Sequence, residues 1–245
     1  MPRLFRYRED ILPCTIVLGV FALQLYTFFQ VDSLAAVAAI MVGLLAFSAM
    51  PGAIAHNHHH VPTFRQGWLN RPYEVLLFLE TGVLPFAWTD GGVMSRLRYD
   101  VVGALRIYPE IIRIGRDRAE LFRRFKRWSA VALAVLGIFM LLDPVKALLL
   151  FVAPMPFMYL GLMDNTYMQH SDLDTRSELT ASRNTTSRLY NLISWNLGYH
   201  TAHHMKPHVH WSRLPALYAQ LEPHIPAGLK CHSVLLSACP YRHSR

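Results

Sequence analysis

Paired runs of uncharged apolar residues constrain this chain more than any other feature of its sequence. Residues 11–29 hold nineteen consecutive positions without a formal charge, and residues 34–55 hold twenty-two more. Each run reaches the roughly 20 residues a helix needs to cross about 30 Å of hydrocarbon. Only Gln30-Val31-Asp32-Ser33 parts them, so the two spans form a tight hairpin. A second pair, 129–142 and 147–163, is interrupted by Asp143-Pro144-Val145-Lys146, and Asp-Pro is a natural helix stop and turn. The members of this second hairpin are short. They tilt, start earlier at Phe125, or thin the bilayer locally.

Composition agrees with a membrane protein. Of 245 residues, 53% are apolar and 16% charged, against about 25% charged in soluble domains. That apolar content excludes intrinsic disorder. Cys14, Cys231 and Cys239 leave one cysteine unpaired and show no framework spacing, which argues against a disulfide scaffold. Arg3, Arg6 and Arg8 resemble the basic start of a signal peptide, but Glu9 and Asp10 precede the apolar core and a second span follows at once. The net charge of +8 is read as positive-inside bias rather than nucleic-acid binding. Arginine crowds the N-terminal tail, residues 65–127 and the tail after Thr175, whereas the two hairpin turns carry only Lys146. Both termini and the central segment are therefore expected in the cytoplasm, in a multi-pass protein of a bacterial inner membrane. Residues 73–88 are apolar but broken by Glu80, Gly82 and Pro85, which suits the interface better than a span. The fold expected is all-α, a single membrane domain over 1–245. Four spans lie near 11–29, 34–55, 125–142 and 147–163, and a cytoplasmic helical cap is made of 56–124 and 164–245.

Thirteen histidines stand in the chain, none before position 56 and none from 61 to 169. The first group, His56-Asn57-His58-His59-His60, closes the second span. If that helix continues one turn, His56, His59 and His60 share a face and His58 points elsewhere. In the second group His200, His203 and His204 repeat the same spacing, and His170 stands between the groups at the end of the fourth span. His208 and His210 follow. Neutral imidazoles suit first-row metals such as iron and zinc and leave coordination positions open. Polar clusters at a membrane boundary are costly unless they face an internal site. A solvated histidine loop is the bland reading for the second group alone, and two groups at matching depth argue against it.

The run Asn196-x-x-x-His200-x-x-His203-His204-x-x-Pro207-x-x-x-Trp211-x-x-Leu214-Pro215 resembles the last histidine box of integral-membrane fatty acid desaturases and related hydroxylases. His170 resembles the isolated histidine those proteins place before that box, and His56 with His60 fits their first box, HxxxH. The resemblance implies two irons held by His56, His59, His60, His170, His200, His203 and His204 in a cap above a four-helix stem. It implies an acyl chain threaded beneath them and electrons from a separate ferredoxin-, rubredoxin- or cytochrome-type donor. The reaction implied is iron- and dioxygen-dependent desaturation or hydroxylation of a lipid chain, with no catalytic side chain beyond the ligands. Asn196 is expected to bind a metal-bound water or orient a ligand, and Trp195 and Tyr199 to line the path of the chain.

One departure is plain: the middle HxxHH box of that family is missing, and Phe86-Ala87-Trp88-Thr89-Asp90-Gly91-Gly92-Val93 stands where it is expected. Three readings remain open. His58 and His59, with Asp90, Asp164 or Asp172 as carboxylate ligands, complete the set; or one iron is kept; or the chain is a degenerate, non-catalytic homologue or membrane metal-binding module. A membrane zinc hydrolase is a further rival, but it needs a general-base carboxylate beside its ligands, and no HExxH is present.

Overall fold

A computed structural model describes residues 4–47, 49–82, 119–171, 173 and 176–235. It is mostly helical, with three helices long and apolar enough to cross a membrane and a bent pair that passes the same test together. The first is α1, Ile11–Gln30. The bent pair is α2, Leu34–Phe47, and α3, Ala49–His60, which meet at 54°. Pro51 sits in the first turn of α3 and lacks the N–H that would continue the ladder to Phe47, so the helix breaks there. A fifteen-residue helix, α4 (Gly67–Thr81), ends at Gly82 in a left-handed conformation (φ 68°). A Cβ at Gly82 would come within 2.5 Å of Met155 Cβ, so both the turn and the close approach require glycine.

Helix α5, Ala119–Leu142, begins well before the Phe125 anticipated. Asp143 then caps α6, Pro144–Ala147, by accepting from the Lys146 N–H. A π turn, Leu148–Val152, leads into α7, Pro154–His170. The π turn has a local cause. Pro154 has no N–H for the Leu150 carbonyl, Ala153 N–H reaches back to Leu148 O instead, and Gln24 Nε2 of α1 donates to Leu150 O at 3.0 Å. A buried amide thus satisfies the carbonyl that the proline orphans, which an apolar interior demands.

Beyond α7 come β1 (Asn184–Thr185), α8 (Arg188–Ile193), α9 (His200–Met205), α10 (Leu214–Leu221) and β2 (Lys230–Cys231), which pairs in parallel with β1. Three apolar clusters hold these parts. Phe28, Phe139 and Phe151 pack together in one cluster, with centroids 4.6–6.2 Å apart, Phe139 stacked on Phe151 and Phe28 edge-on to Phe139. Ala53, Ile54, Leu77 and Trp195 join the bundle to the C-terminal region. Leu214, Tyr218 and Ile225 form the core of that region itself. Leu133, Ile138, Leu141 and Leu142 on α5 are exposed, and apolar faces of that extent fit lipid.

Two arrangements differ from the sequence reading. The apolar stretch expected at an interface packs its first part, α4, inside the bundle, where Leu77, Phe78, Leu79, Glu80 and Thr81 are buried; residues 83–88 lie outside the described residues. The fourth apolar run was expected to end near 163, but the helix continues unbroken to His170 and keeps Asp164 within it. The segments around Asp32 and Asp143–Lys146 meet, with Lys146 Nζ donating to Phe28 O at 3.1 Å and standing 3.9 Å from Asp32.

Candidate metal centre

The histidines meet at the far ends of α3 and α7. Two triads form: His56, His60 and His203, and His170, His200 and His204. Within each, the candidate ligand nitrogens all lie within 4.8 Å of one another. His56 Nε2 approaches His203 Nε2 at 2.8 Å, His170 Nε2 approaches His200 Nε2 at 2.9 Å, and His204 Nε2 lies 3.1 Å from His200 Nε2. The triads adjoin, with the His203 ring 5.8 Å from His200 and 5.9 Å from His204.

Helix geometry explains which histidines converge. On α3, His60 follows His56 by four residues and lies about 40° around the axis, whereas His59 lies about 60° the other way. The first triad takes His56 and His60. His59 belongs to neither triad, and its Nδ1 is buried with no hydrogen-bond partner among the described residues. His58 points elsewhere, as its position requires: Nδ1 accepts from the Thr63 N–H and Nε2 faces Glu74 at 3.8 Å. Glu74 is gripped by Arg71, with both carboxylate oxygens 2.7 Å from Nη1; against the burial that would raise it, hydrogen bonding from His58 and then Arg71 holds its carboxyl below the usual range. The same rotation divides α9: its two ends of the spacing go to different triads, His203 to the first and His204, with His200, to the second.

A six-residue helix has no stability of its own, so α9 is held from outside. Asn184 Oδ1 accepts from the Thr201 N–H at 3.0 Å while its Nδ2 donates to Thr201 Oγ1, and Ser182 Oγ lies 2.8 Å from the same hydroxyl. Ahead of α9, Asn191 Oδ1 accepts from the Gly198 N–H, and a Cβ at Gly198 would fall 2.5 Å from Thr185 O. Gln169, beside His170, donates to Leu197 O at 3.2 Å and ties the end of α7 to this loop. His170 Nδ1 lies 3.0 Å from Ala181 O. As a carbonyl only accepts, Nδ1 carries the proton and Nε2 presents a lone pair to its triad.

The donor set fits a first-row metal. Burial, with the neighbouring imidazoles, pushes His203 down to about 3 and holds His200 well below the usual histidine range. Neutral imidazoles share at most one proton across each Nε2 contact, yet His200 Nε2 faces two such rings. Such nitrogens want a shared cation more than one another. Among the described residues no carboxylate joins either triad. Asp164 is half-buried on α7 outside both, and Asp90 and Asp172 lie outside the described residues.

Asn196, Trp195 and Tyr199 make the following contacts. Asn196, at φ 64°, donates from Nδ2 to Trp211 O. Trp195, at φ 52°, is buried against Trp211 with ring centroids 5.1 Å apart, and Tyr199 packs on Tyr218. One group went unrecognised in the sequence. Asp10 Oδ1 accepts from both His210 Nε2 (2.9 Å) and Trp211 Nε1 (3.0 Å), while Tyr7 stacks on His210. This clasp fastens the start of α1 to the segment just after α9. Two hundred residues separate its partners, so no local pattern announces it.

Comparison with known proteins gives one result that bears on these triads. The sequence model of the family described as fatty acid desaturase matches residues 92–234, which takes in His170 and all of α9. No curated protein and no solved structure matches the chain.

Proposed function

The chain belongs to the fatty acid desaturase family, and from that premise we propose that it is a membrane oxidoreductase that desaturates or hydroxylates an acyl chain or related lipid. The observation that carries the reading is the convergence of six imidazoles, from α3, α7 and α9, into two adjoining triads. His56, His60 and His203 hold one iron and His170, His200 and His204 the other, so the missing middle box is offset by dividing the last one between two sites. Iron held there would supply the redox chemistry that no side chain has, the oxidation of an unactivated methylene by dioxygen with two electrons from a separate donor protein and reduction of the oxygen to water or to water plus the product hydroxyl.

The chain's own residues do the rest. Burial keeps the ligand rings neutral, and the Ala181 carbonyl fixes the tautomer of His170. The asparagine and serine contacts to Thr201 hold α9 so that one short helix serves both triads. Trp195, Leu197 and Ile54 are buried in one apolar cluster, and Asn57, next to His56, donates from Nδ2 to Trp195 O at 3.2 Å. We place the four spans as α1, the bent pair α2–α3, α5 and α6–α7, with both termini and the histidines on the cytoplasmic side. The shared end of Asp32 and Lys146 and the arginine asymmetry support this arrangement.

Two measurements test the proposal. Metal analysis of the purified, detergent-solubilised chain should find iron at about two per chain, and expression in a host should change its lipid unsaturation or hydroxylation. Zinc in place of iron, or no metal, would overturn it. Reporter fusions after Ser33 and after Lys146 should appear outside the cytoplasm and a fusion at Lys126 inside; an external signal at Lys126 would sink the topology.

A further inference from the structure

Tyr7 stands between the clasp on His210 and an open, basic depression of about 570 Å³, lined among the described residues by Arg6, Tyr7 and Arg65. An antiparallel pairing builds it. Arg6 N–H donates to Thr63 O at 2.9 Å and Arg65 N–H to Leu4 O at 3.1 Å, on either side of the Phe5–Phe64 bridge. Arg213, from the segment after α9, holds its guanidinium 5.5 Å from the centre of the Tyr7 ring. All three arginines are exposed. None has a carboxylate within ion-pair distance among the described residues; Arg65 Nε donates instead to Phe5 O. Glu9 does not line the depression, and Asp10 is buried in the clasp. Three arginines from three separate segments thus surround one ring, a field of a single sign.

From this depression an unbroken run of contacts leads to the first triad. Tyr7 stacks on His210 with ring centroids 4.0 Å apart, His210 lies 5.2 Å from Trp211, and Trp211 lies 5.1 Å from Trp195. Trp195 O accepts from Asn57 Nδ2 at 3.2 Å, and Asn57 directly follows His56. His210 is 1% exposed and Trp195 5%, so the run passes through packed protein rather than water. Electron tunnelling falls steeply with distance and with every gap, so a carrier is best docked where packing to the acceptor is continuous. Carboxylates on such a carrier match the arginines, which take them bidentately. Lipid phosphates also answer the charge, but they carry no electron and leave the aromatic run without a role. We propose that Arg6, Arg65 and Arg213 form the docking site of a small acidic one-electron carrier protein, whose electrons reach the first triad past Tyr7, His210, Trp211 and Trp195. Each transfer oxidises the carrier's centre by one electron and reduces the metal held by the triad by one. The rings between them supply contact only, and no bond forms or breaks. The proposal deepens the oxidoreductase reading and rests on it for the use of the electrons, whereas docking needs neither metal nor lipid.

The test measures binding of the full-length, detergent-purified protein to a plant-type ferredoxin and to a rubredoxin, at low and at high salt. At least one carrier should bind, and its affinity should fall about tenfold or more with added salt, as screening of exposed charges requires. The double variant Arg6→Glu, Arg65→Glu should weaken that binding by about tenfold or more. Arg213→Glu should weaken it on its own, which decides the matter if the double variant does not fold. Arg124→Glu, an equally exposed charge near the start of α5, should leave the affinity nearly unchanged. When the iron-loaded protein is mixed with reduced carrier, the double variant should slow reduction at low carrier concentration and recover at saturation. Its reduction by dithionite should match that of the unsubstituted protein. Failure of both carriers to bind would overturn the proposal, as would an equal loss in Arg124→Glu, which marks bulk charge. A double variant that keeps its affinity for the carrier but loses affinity for phosphatidylglycerol vesicles would overturn it too, making the depression a site for lipid headgroups. A protein that docks the carrier through these arginines but oxidises no lipid breaks the oxidoreductase reading alone. One that oxidises lipid with a carrier indifferent to Arg6, Arg65 and Arg213 breaks this proposal alone.

Discussion

The two triads have the same ligands and near-identical internal spacing, yet their supports differ in kind. His56 and His60 ride on the end of a long bent helix fixed by apolar packing, with Ala53, Ile54 and Leu77 in one cluster. His200 and His204 ride on six residues pinned by hydrogen bonds from Asn184, Ser182 and the loop around Gly198. Packing is non-directional and tolerates small rearrangements, whereas each buried hydrogen bond fixes an orientation and is costly to lose. The difference teaches that histidines at the end of a bundle can take their rigidity from a long helix, as His56, His60 and His170 do, whereas those on a short helix must assemble it from polar contacts.

The sharpest way to break the comparison is at the residue that joins the triads. Replacing His203 by Ala should cost iron and activity together, because removing a ligand leaves a poorly held metal. His170→Ala should do the same from the other side, and iron at the unsubstituted level in either variant would remove that residue from the ligand set. Next in size is Leu77→Ala, which empties a site 2% exposed in the cluster that holds Ala53 and Ile54 and should cost about 2–5 kcal/mol of stability, read as a lowered unfolding midpoint. Asn184→Ala should cost less, about 1–3 kcal/mol, but should lower iron affinity by roughly tenfold, since α9 loses its N-terminal anchor. A loss of stability without a loss of affinity in Asn184→Ala would erase the distinction between the two supports.

A smaller effect depends on pH. The Glu80 carboxyl stands at about 9 in the folded chain against an ordinary 4.5. Between those values the unfolded chain has given up a proton that the folded chain keeps, so stability falls as pH rises through the window. Gln24, Leu150 and Pro154 line the same small space as Glu80, and no other described residue there is charged. Glu80→Gln should therefore raise the thermal midpoint little at pH 5 and progressively more towards pH 9, with unchanged iron content. A midpoint gain that shrinks with pH would contradict the buried, protonated carboxyl. Smallest of all, replacing the exposed His224 or His232 by Ala should leave iron and stability near their original values.

Much of the fold was legible in the sequence because its determinants are local. The uncharged runs, the Asp-Pro stop at 143–144 and the four-residue step from His56 to His60 each speak through neighbours on one helix. The division of His203 from His204 was not legible, since i, i+3, i+4 spacing defines a face but not which of two partners each ring meets across it. The burial of α4 escaped for a related reason: Leu77 to Leu79 look alike whether they meet lipid or helices. Gln24 on Leu150 O and Asp10 on His210 span 126 and 200 residues, and polar pairs so distant leave no periodic trace.

The clasp of Asp10 on His210 and Trp211 has a consequence for how the protein comes into being. The N-terminal member is synthesised first and its partners about 200 positions later, and the first triad likewise waits for His203 after His60 has emerged. At the usual 5–20 residues per second, that interval is on the order of ten seconds. Throughout it His56 and His60 wait without His203, and Ile54 waits without Trp195. The first triad is thus completed only late in biogenesis, at about the time the clasp can close.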